Sequence, residues 1–436
     1  MTETAARATA RLDRGRAVAV RALDAVLRRP PQQLEAALEE AAARHRPSPR
    51  DRALARRLVS TVLRRRGQLD QLLRKRVRFW PDSLTAQNLL RIGAAQLVFL
   101  ETPPHAAVGA TVSLARALRR PEVGMVNAVL RRLATEQPDL PSVERNVPAW
   151  LLASWTRAYG EAAAQAIMTA HLEEPPLDLS VPGDRETWAK ELGGELVGPL
   201  SVRLKRAGVV TELPGFAEGH WWVQDVAATL PVWSLGDVRG LSVLDVGAAP
   251  GGKTAQLAAA GAVVTAVEPD ARRRERLNAN LERLGHRDQV NIIGTELAAV
   301  DRERRFDVVL VDAPCSATGT IRRHPDIPWH RAAEDVAALA QRQQDLLDSA
   351  ALLVGAGGRL LFATCSLQQE EGEMLIGRWL ADNPVFDRTA AVRPPSNELG
   401  LISTEAGQWR SLPSAIPGGM DGFFFCHLRA KGADHG

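Results

Sequence analysis

Apolar residues recur at helical spacing from residue 15 to about 135. Val20, Leu23 and Leu27 fall at i, i+3 and i+7, and Leu54, Leu58 and Val62 at i, i+4 and i+8. No convincing strand interrupts this pattern, which predicts an all-α domain. Ser48-Pro49-Arg50-Asp51 offers an N-cap, a first-turn proline and an acidic third residue to a helix beginning at 49. Residues 137–148 read QPDLPSVERNVP, too rich in proline for a continuous helix, and predict a linker. The stretch that follows, to about Trp233, is mixed: a helix over 150–171, then short strand candidates in LDLSV and VVTEL, together a small α/β insert. Beyond Leu241 the pattern changes again. Nearly continuous apolar strands at 241–247, 262–267, 290–294, 306–311 and 358–363 alternate with helical stretches such as 270–284, which predicts a parallel sheet covered on both faces. The tail PGGMDGFFFCHLRA adds a turn and a last strand.

Charge divides the chain in the same way. Residues 1–150 hold 27 Lys and Arg against 14 Asp and Glu, whereas the remainder holds 28 against 37. Much of the N-terminal excess is clustered: Arg64-Arg65-Arg66, Arg74-Lys75-Arg76 with Arg78, Arg119-Arg120 and Arg131-Arg132. A polyanion, most naturally nucleic acid, is the partner that such a segment suits. No apolar run approaches the ~18 to 20 residues of a membrane span, and the opening MTETAARATARLDRGR has no apolar core of a leader, so a soluble, cytoplasmic protein without a membrane partner is expected. The three cysteines, Cys315, Cys365 and Cys426, form neither a disulfide framework nor a C-x-x-C metal motif, and no metal site is expected.

Two of those cysteines follow strand-like runs, in Pro314-Cys315-Ser316 and Thr364-Cys365-Ser366. The end of a parallel strand is where an open α/β sheet presents reactive groups, and a thiolate is a strong nucleophile. Cys426 lies inside an apolar strand and reads as core. Upstream, LDVGAAPGGKT is a strand, a glycine turn and a helix start. Gly247 to Thr254 also satisfies G-x-x-x-x-G-K-T, so an ATP-binding phosphate loop is formally available. The next strand, VVTAVEPD, ends in Glu268, a carboxylate suited to ribose hydroxyls and of no use to a phosphate loop. That linked acid favours S-adenosylmethionine, which carries no phosphate. Lys253 either ends the turn structurally or touches cofactor or base.

The set LDVGAAPGGKT, VEPD, VLVDAPCSATGTIRRHPDIPW and LFATCSLQQEEGE closely resembles the RNA cytosine C5 methyltransferases of the Nol1/Nop2/Sun class. The N-terminal strings RDRALARRLVSTVLRRRGQLDQLL, NLLRIGAAQLVFLETPPHAAV and GMVNAVLRRL resemble the NusB-like helical domain. Their fusion is characteristic of the bacterial Sun/RsmB branch. The resemblance implies a multidomain chain: an all-α NusB-like RNA-binding domain over 1–140, a linker and small α/β, RRM-like subdomain over 141–235, and a Rossmann-like class I methyltransferase α/β sandwich over 236–436. It further implies a monomer that methylates a cytosine of 16S ribosomal RNA, free or in an assembly intermediate, with no DNA partner.

Carried onto this chain, the family places S-adenosylmethionine against Gly247, Ala248, Ala249, Pro250, Gly251, Gly252 and Lys253. Glu268 takes the ribose where the family usually has Asp. Thr295 stands where the family's adenine-side Asp is expected, with Glu296 beside it. The family's Arg-x-Asn in the middle region is here Ser180-Val181-Pro182. Asp312 would meet the N3 and N4 edge of cytosine, Cys365 would be the nucleophile and Cys315 would assist release. The residues alone leave the order of the two thiols open, because DNA cytosine methyltransferases hold their nucleophile in a Pro-Cys setting like that of Cys315. Arg322, Arg323 and His324 are candidates for RNA phosphates or for a solvated turn. A competing reading is a NusB-like RNA-binding or antitermination protein whose methyltransferase half only scaffolds.

Overall fold

The computed structural model describes residues 13–136, 138–392 and 397–431. The opening segment read for a leader, and Gln137 of the linker, lie outside the described residues. The chain divides into two compact units, one running through Leu152 and including His324–His330, the other formed by Ala153–Arg323 and the chain from Arg331 onward. Among the described residues, no helix is long and apolar enough to cross a membrane.

The first unit is helical: Arg14–Leu27, Leu34–His45, Pro49–Arg64, Arg66–Arg74, Leu84–Val98, Pro104–Ala117 and Val123–Thr135. The apolar stripes seen in the sequence form its core, with Leu23, Leu58 and Val62 fully buried and Val20 nearly so. Ser48 caps the third helix as its pattern predicts. Its Oγ accepts from the Asp51 amide at 3.2 Å, and the Asp51 carboxylate accepts from the Ser48 amide at 3.2 Å. Residues 324–330, far along the chain, complete this unit. Asp326 accepts from the Leu34 amide at 3.0 Å, and the Trp329 indole donates to the Leu63 carbonyl at 3.1 Å.

Two helices, Ala149–Tyr159 and Glu161–Leu172, replace the single one expected over 150–171. Gly160 between them sits at φ +83°, a conformation outside the helical range that a glycine adopts without penalty. The insert is a four-stranded antiparallel sheet of β1 (Leu177–Ser180), β2 (Glu195–Val197), β3 (Ser201–Leu204) and β4 (Trp222–Val223), in the order β2-β3-β1-β4. VVTEL is not one of its strands: Val210–Glu212 forms a short 3-10 turn ahead of Pro214, with Val209 half exposed and no strand beside it.

The large sheet contains β5 (Ser242–Val246), β6 (Val263–Val267), β7 (Val290–Ile293), β8 (Phe306–Asp312), β9 (Val354–Thr364), β10 (Phe386–Arg388), β11 (Ile402–Glu405), β12 (Gln408–Ser411) and β13 (Phe423–Ala430). Its order is β11-β12-β13-β9-β8-β5-β6-β7, with β10 beside β13. Strands β5 to β9 are mutually parallel, and β13 returns antiparallel to β9. Alternation along β8 feeds both faces. Val308 and Leu310 pack with Leu257 and Leu277 of the helices after β5 and β6, while Val309 and Val311 pack with Leu347 and Trp379 of the helices flanking β9. This is the Rossmann-like α/β sandwich with helices on both faces, and its parallel strands all point their carboxyl ends to one edge.

Candidate active site

The strand ends and loops at that edge carry the glycine turn 247–253, Glu268, Asp312 and the two cysteines 315 and 365. After β5, the chain reverses at Gly247, whose φ is +80°. A Cβ there would lie 2.5 Å from the Asp312 carbonyl oxygen, so the turn approaches the end of β8 more closely than any side chain allows. Gly251, at φ +108°, precedes the helix Gly252–Ala259. After β6, Glu268 reaches back to this turn: its Oε2 accepts from the Ala249 amide at 3.3 Å and its Oε1 from the Asp270 amide at 3.1 Å. The Arg273 guanidinium, itself half exposed, lies 3.3 Å from Oε2 and covers the carboxylate.

A cavity of about 300 Å³ opens beside the turn, lined by Gly247, Glu268, Glu296, Asp312, Cys315 and Cys365 among others. A second, of about 430 Å³, shares Gly247 and Asp312 and is lined by Ala248, Ala249, Pro250, Gly251, Gly252 and Lys253. Glu296 faces the first cavity and Thr295 is not among its lining residues. The donor set fits S-adenosylmethionine: a backbone turn that leaves no room for a Cβ at Gly247, an acid at the end of the second strand and a cavity continuous with the two thiols. It does not fit a phosphate loop. The Lys253 ammonium donates to Asp312 Oδ2 at 2.8 Å, and the Ala249 amide faces the Glu268 carboxylate, so the groups that would hold a polyphosphate are already held by carboxylates.

The two thiols meet because β8 and β9 are neighbours in register, with Asp312 opposite Ala363. The loops that leave them are tied by the Gly319 amide donating to the Cys365 carbonyl at 3.0 Å. Gly319 must be glycine, since a Cβ would stand 1.9 Å from the Gly422 carbonyl. Cys315 Sγ lies 3.5 Å from Cys365 Sγ. Cys315 is buried and Cys365 half-buried. The hydrogen bond to Cys365, followed by burial and by the charges of Cys365 and Glu371, pushes the Cys315 thiol well above its ordinary range. The protonated thiol is therefore favoured at Cys315, within hydrogen-bond reach of the neighbouring sulfur. Cys426 is fully buried, and burial pushes it up to about 12, as befits a core thiol.

One residue the sequence did not single out organises both cysteine loops. Glu371 is fully buried, and each cysteine is followed by a serine that binds it. Its carboxylate accepts from the Ser316 amide at 2.8 Å, from the Ser316 hydroxyl, from the Ser366 hydroxyl at 2.5 Å and from the Gln343 amide nitrogen at 3.0 Å. The loop after Cys365 is braced further by the Tyr159 hydroxyl donating to the Leu367 carbonyl at 2.5 Å and the Trp155 indole donating to Gln368 at 3.1 Å. The repeated Cys-Ser pair with an acid shortly after the second was the available signal. A third buried acid, Asp245 of β5, is pushed up to about 6 by burial, partly offset by the Thr254 hydroxyl that donates to it at 2.6 Å.

Other candidates fall elsewhere. Arg322 is buried, with Asp225 accepting its guanidinium at 2.8 Å, and so serves the fold rather than RNA phosphate. Arg323 binds the buried Asp421 while a third of its side chain stays open to the second cavity, and His324 belongs to the helical unit. Ser180 is buried and donates to Gln224 at 2.8 Å.

Comparison with known proteins assigns a family to this arrangement. Residues 234–429 match the model for 16S rRNA methyltransferase RsmB/F, and residues 13–135 match the NusB family. Ribosomal RNA small subunit methyltransferase B of Cronobacter sakazakii is 37% identical over 414 residues, covering 89% of this chain and 92% of its own length. The protein of that name from Escherichia coli O157:H7 is 37% identical over 408 residues, covering 88% and 92%. Among solved structures, PH0851 superposes with a TM-score of 0.77 at 24% identity, over 95% of this chain and 98% of its own. NSun6 from Pyrococcus horikoshii, solved with SFG, superposes at 0.56 and 19% identity, over 65% and 98%. The curated relatives match across nearly their full length and at an identity that leaves no room for a shared fold alone; the chain belongs to the RsmB/F family of ribosomal RNA small subunit methyltransferases.

Proposed function

We propose that this protein transfers a methyl group from S-adenosylmethionine to C5 of a cytosine in 16S ribosomal RNA, through a covalent adduct between Cys365 and C6 of the base. The observation that carries the reading is the pair of thiols 3.5 Å apart, one half-buried and one buried, opening on the same cavity as Glu268 and Asp312. The organisation that goes with it is the RNA-binding helical domain over 1–140, the RRM-like subdomain over 141–235 and the methyltransferase domain over 236–436.

Gly247 to Lys253 and Glu268 hold the cofactor, Glu268 accepting from ribose hydroxyls. When bound, S-adenosylmethionine supplies an electrophilic methyl group. Cytosine C5 is a poor nucleophile until the 5,6 double bond is broken. The Cys365 thiolate adds to C6, and the electron pair of that bond moves to C5, which can then accept the methyl. Asp312, which accepts from the Lys253 ammonium at 2.8 Å, faces the N3 and N4 edge and accepts from the N4 amino group, and a proton shared between its carboxyl and N3 offsets the negative charge that the addition places on the ring. Loss of the C5 proton restores the double bond and expels Cys365. Cys315, 3.5 Å from that sulfur, takes up the C5 proton as it passes its own to the departing thiolate, and so ends the step as the thiol it began as. Because C5 is shielded in a stacked helix, the target cytosine is unpaired or flipped out.

Purified protein, methyl-labelled S-adenosylmethionine and 16S RNA from a strain lacking the gene test this directly. Label recovered as 5-methylcytosine at one position supports it; absence of transfer, with RNA still bound, leaves the scaffold reading instead.

A further inference from the structure

The helical unit sorts its basic residues into two kinds. Arg76 pairs with Glu136, and the buried Arg91 pairs with Asp70 at 2.7 Å, so both serve the fold. Beside Arg76 in sequence, in and next to the turn joining Arg66–Arg74 to Leu84–Val98, Arg74, Lys75 and Arg78 are exposed. Among the described residues no carboxylate pairs with any of the three. The same turn exposes 75% of Phe79, more than any other large hydrophobic side chain among the described residues. Its neighbour Trp80 is packed against the helical core, with the Arg74 guanidinium 4.4 Å from its ring centroid, while the Arg78 guanidinium lies 5.3 Å from the ring of Phe79.

An aromatic ring held outward among unneutralised cations matches the chemistry of a single strand of nucleic acid, which offers unstacked base faces and phosphates together. An apolar protein surface would desolvate three charges for one ring, and a duplex would offer the phosphates but no free base face. We propose that Phe79 is a stacking platform for an unpaired base of the RNA substrate, with Arg74, Lys75 and Arg78 on the adjoining phosphates. The proposal rests on the RNA methyltransferase reading for the identity of the strand.

Binding of the full-length protein to a fluorescent single-stranded RNA across a salt series tests it. Phe79→Ala should weaken binding by about 5- to 100-fold with the salt slope unchanged, because stacking releases no counterions. Phe79→Trp should restore binding. Lys75→Ala should lower the slope of log K against log salt by about 0.7. Helix content by circular dichroism and S-adenosylmethionine affinity, read on the same samples, should stay constant in all three and so report that both units are intact. Phe79→Ala binding within twofold of wild type overturns the platform, even if Lys75→Ala weakens binding. Loss of binding in Phe79→Ala without any methyl transfer by wild type upholds the platform and removes the enzymatic reading instead.

Discussion

Cys315 Sγ and Cys365 Sγ lie 3.5 Å apart, and the two sulfurs differ in access: Cys315 is buried and Cys365 half-buried. A thiol that is both buried and held protonated is a poor target for alkylation. Brief treatment with iodoacetamide at neutral pH should modify Cys365 first, leave Cys315 slow and spare Cys426, which burial holds at about 12. Peptide mass spectrometry with time reads the order, and labelling of Cys315 ahead of Cys365 would reverse the roles given to them.

Glu371 should prove a positioning residue. Glu371→Gln keeps the volume but turns an amide toward donors that need an acceptor, the Ser316 and Ser366 hydroxyls and the Ser316 amide. Hydrogen bonds to a charged acceptor contribute about 1.5–3 kcal/mol each. The expected outcome is kcat lowered about 10- to 100-fold with S-adenosylmethionine affinity within twofold of wild type, since the cofactor turn is untouched. Unchanged kcat would mean the two loops hold their sulfurs without it.

The cofactor turn makes the opposite split. Gly247→Ala would force a Cβ to within 2.5 Å of the Asp312 carbonyl at a backbone conformation alanine avoids, and Glu268→Ala removes the acceptor at the end of β6. Calorimetry should show S-adenosylmethionine binding weakened at least tenfold in each, with binding of RNA retained. Full affinity in Glu268→Ala would remove the ribose contact from the account.

Stability should depend on pH through Asp245. Its folded value of about 6, against an ordinary 3.8, means that the fold keeps this proton where the unfolded chain has lost it. The contribution therefore favours folding at low pH and is lost as pH rises from about 4 to 6, ending as a penalty of about 3 kcal/mol at neutral pH. Asp245→Asn, which can still accept from Thr254, should gain stability over wild type across that window and hold the gain above it. Urea unfolding at pH 4.5 and 7.5 measures the difference; a variant less stable than wild type at pH 7.5 would contradict it.

The parts of this fold that repeat a simple period were legible along the chain. The strands at 242–246, 263–267 and 306–312 are buried on both faces and read as continuous apolar runs, and Ser48 with Asp51 announced its helix. The hairpin of β11 and β12 was not foreseen, because Ile402–Glu405 is exposed throughout and pairs through its backbone, leaving no hydrophobic pattern. Gly160 broke a helix whose apolar spacing continued across it. At the site, the glycine turn, Glu268, Asp312 and both thiols were visible as strand-end residues. The 3.5 Å between the thiols was not, since it arises from pairing β8 with β9 across fifty residues of chain. Glu371 looked like one acid in a polar loop. Only burial beneath both serines distinguishes it from Glu370 beside it.

The central claim is that Cys365 attacks and Cys315 releases. Incubating each Cys→Ala variant with 16S RNA and S-adenosylmethionine, then resolving the mixture on a denaturing gel, tests it most directly. Cys315→Ala should accumulate a protein–RNA band that survives denaturation, and Cys365→Ala should give none. A stable band from Cys365→Ala, with none from Cys315→Ala, would contradict the account.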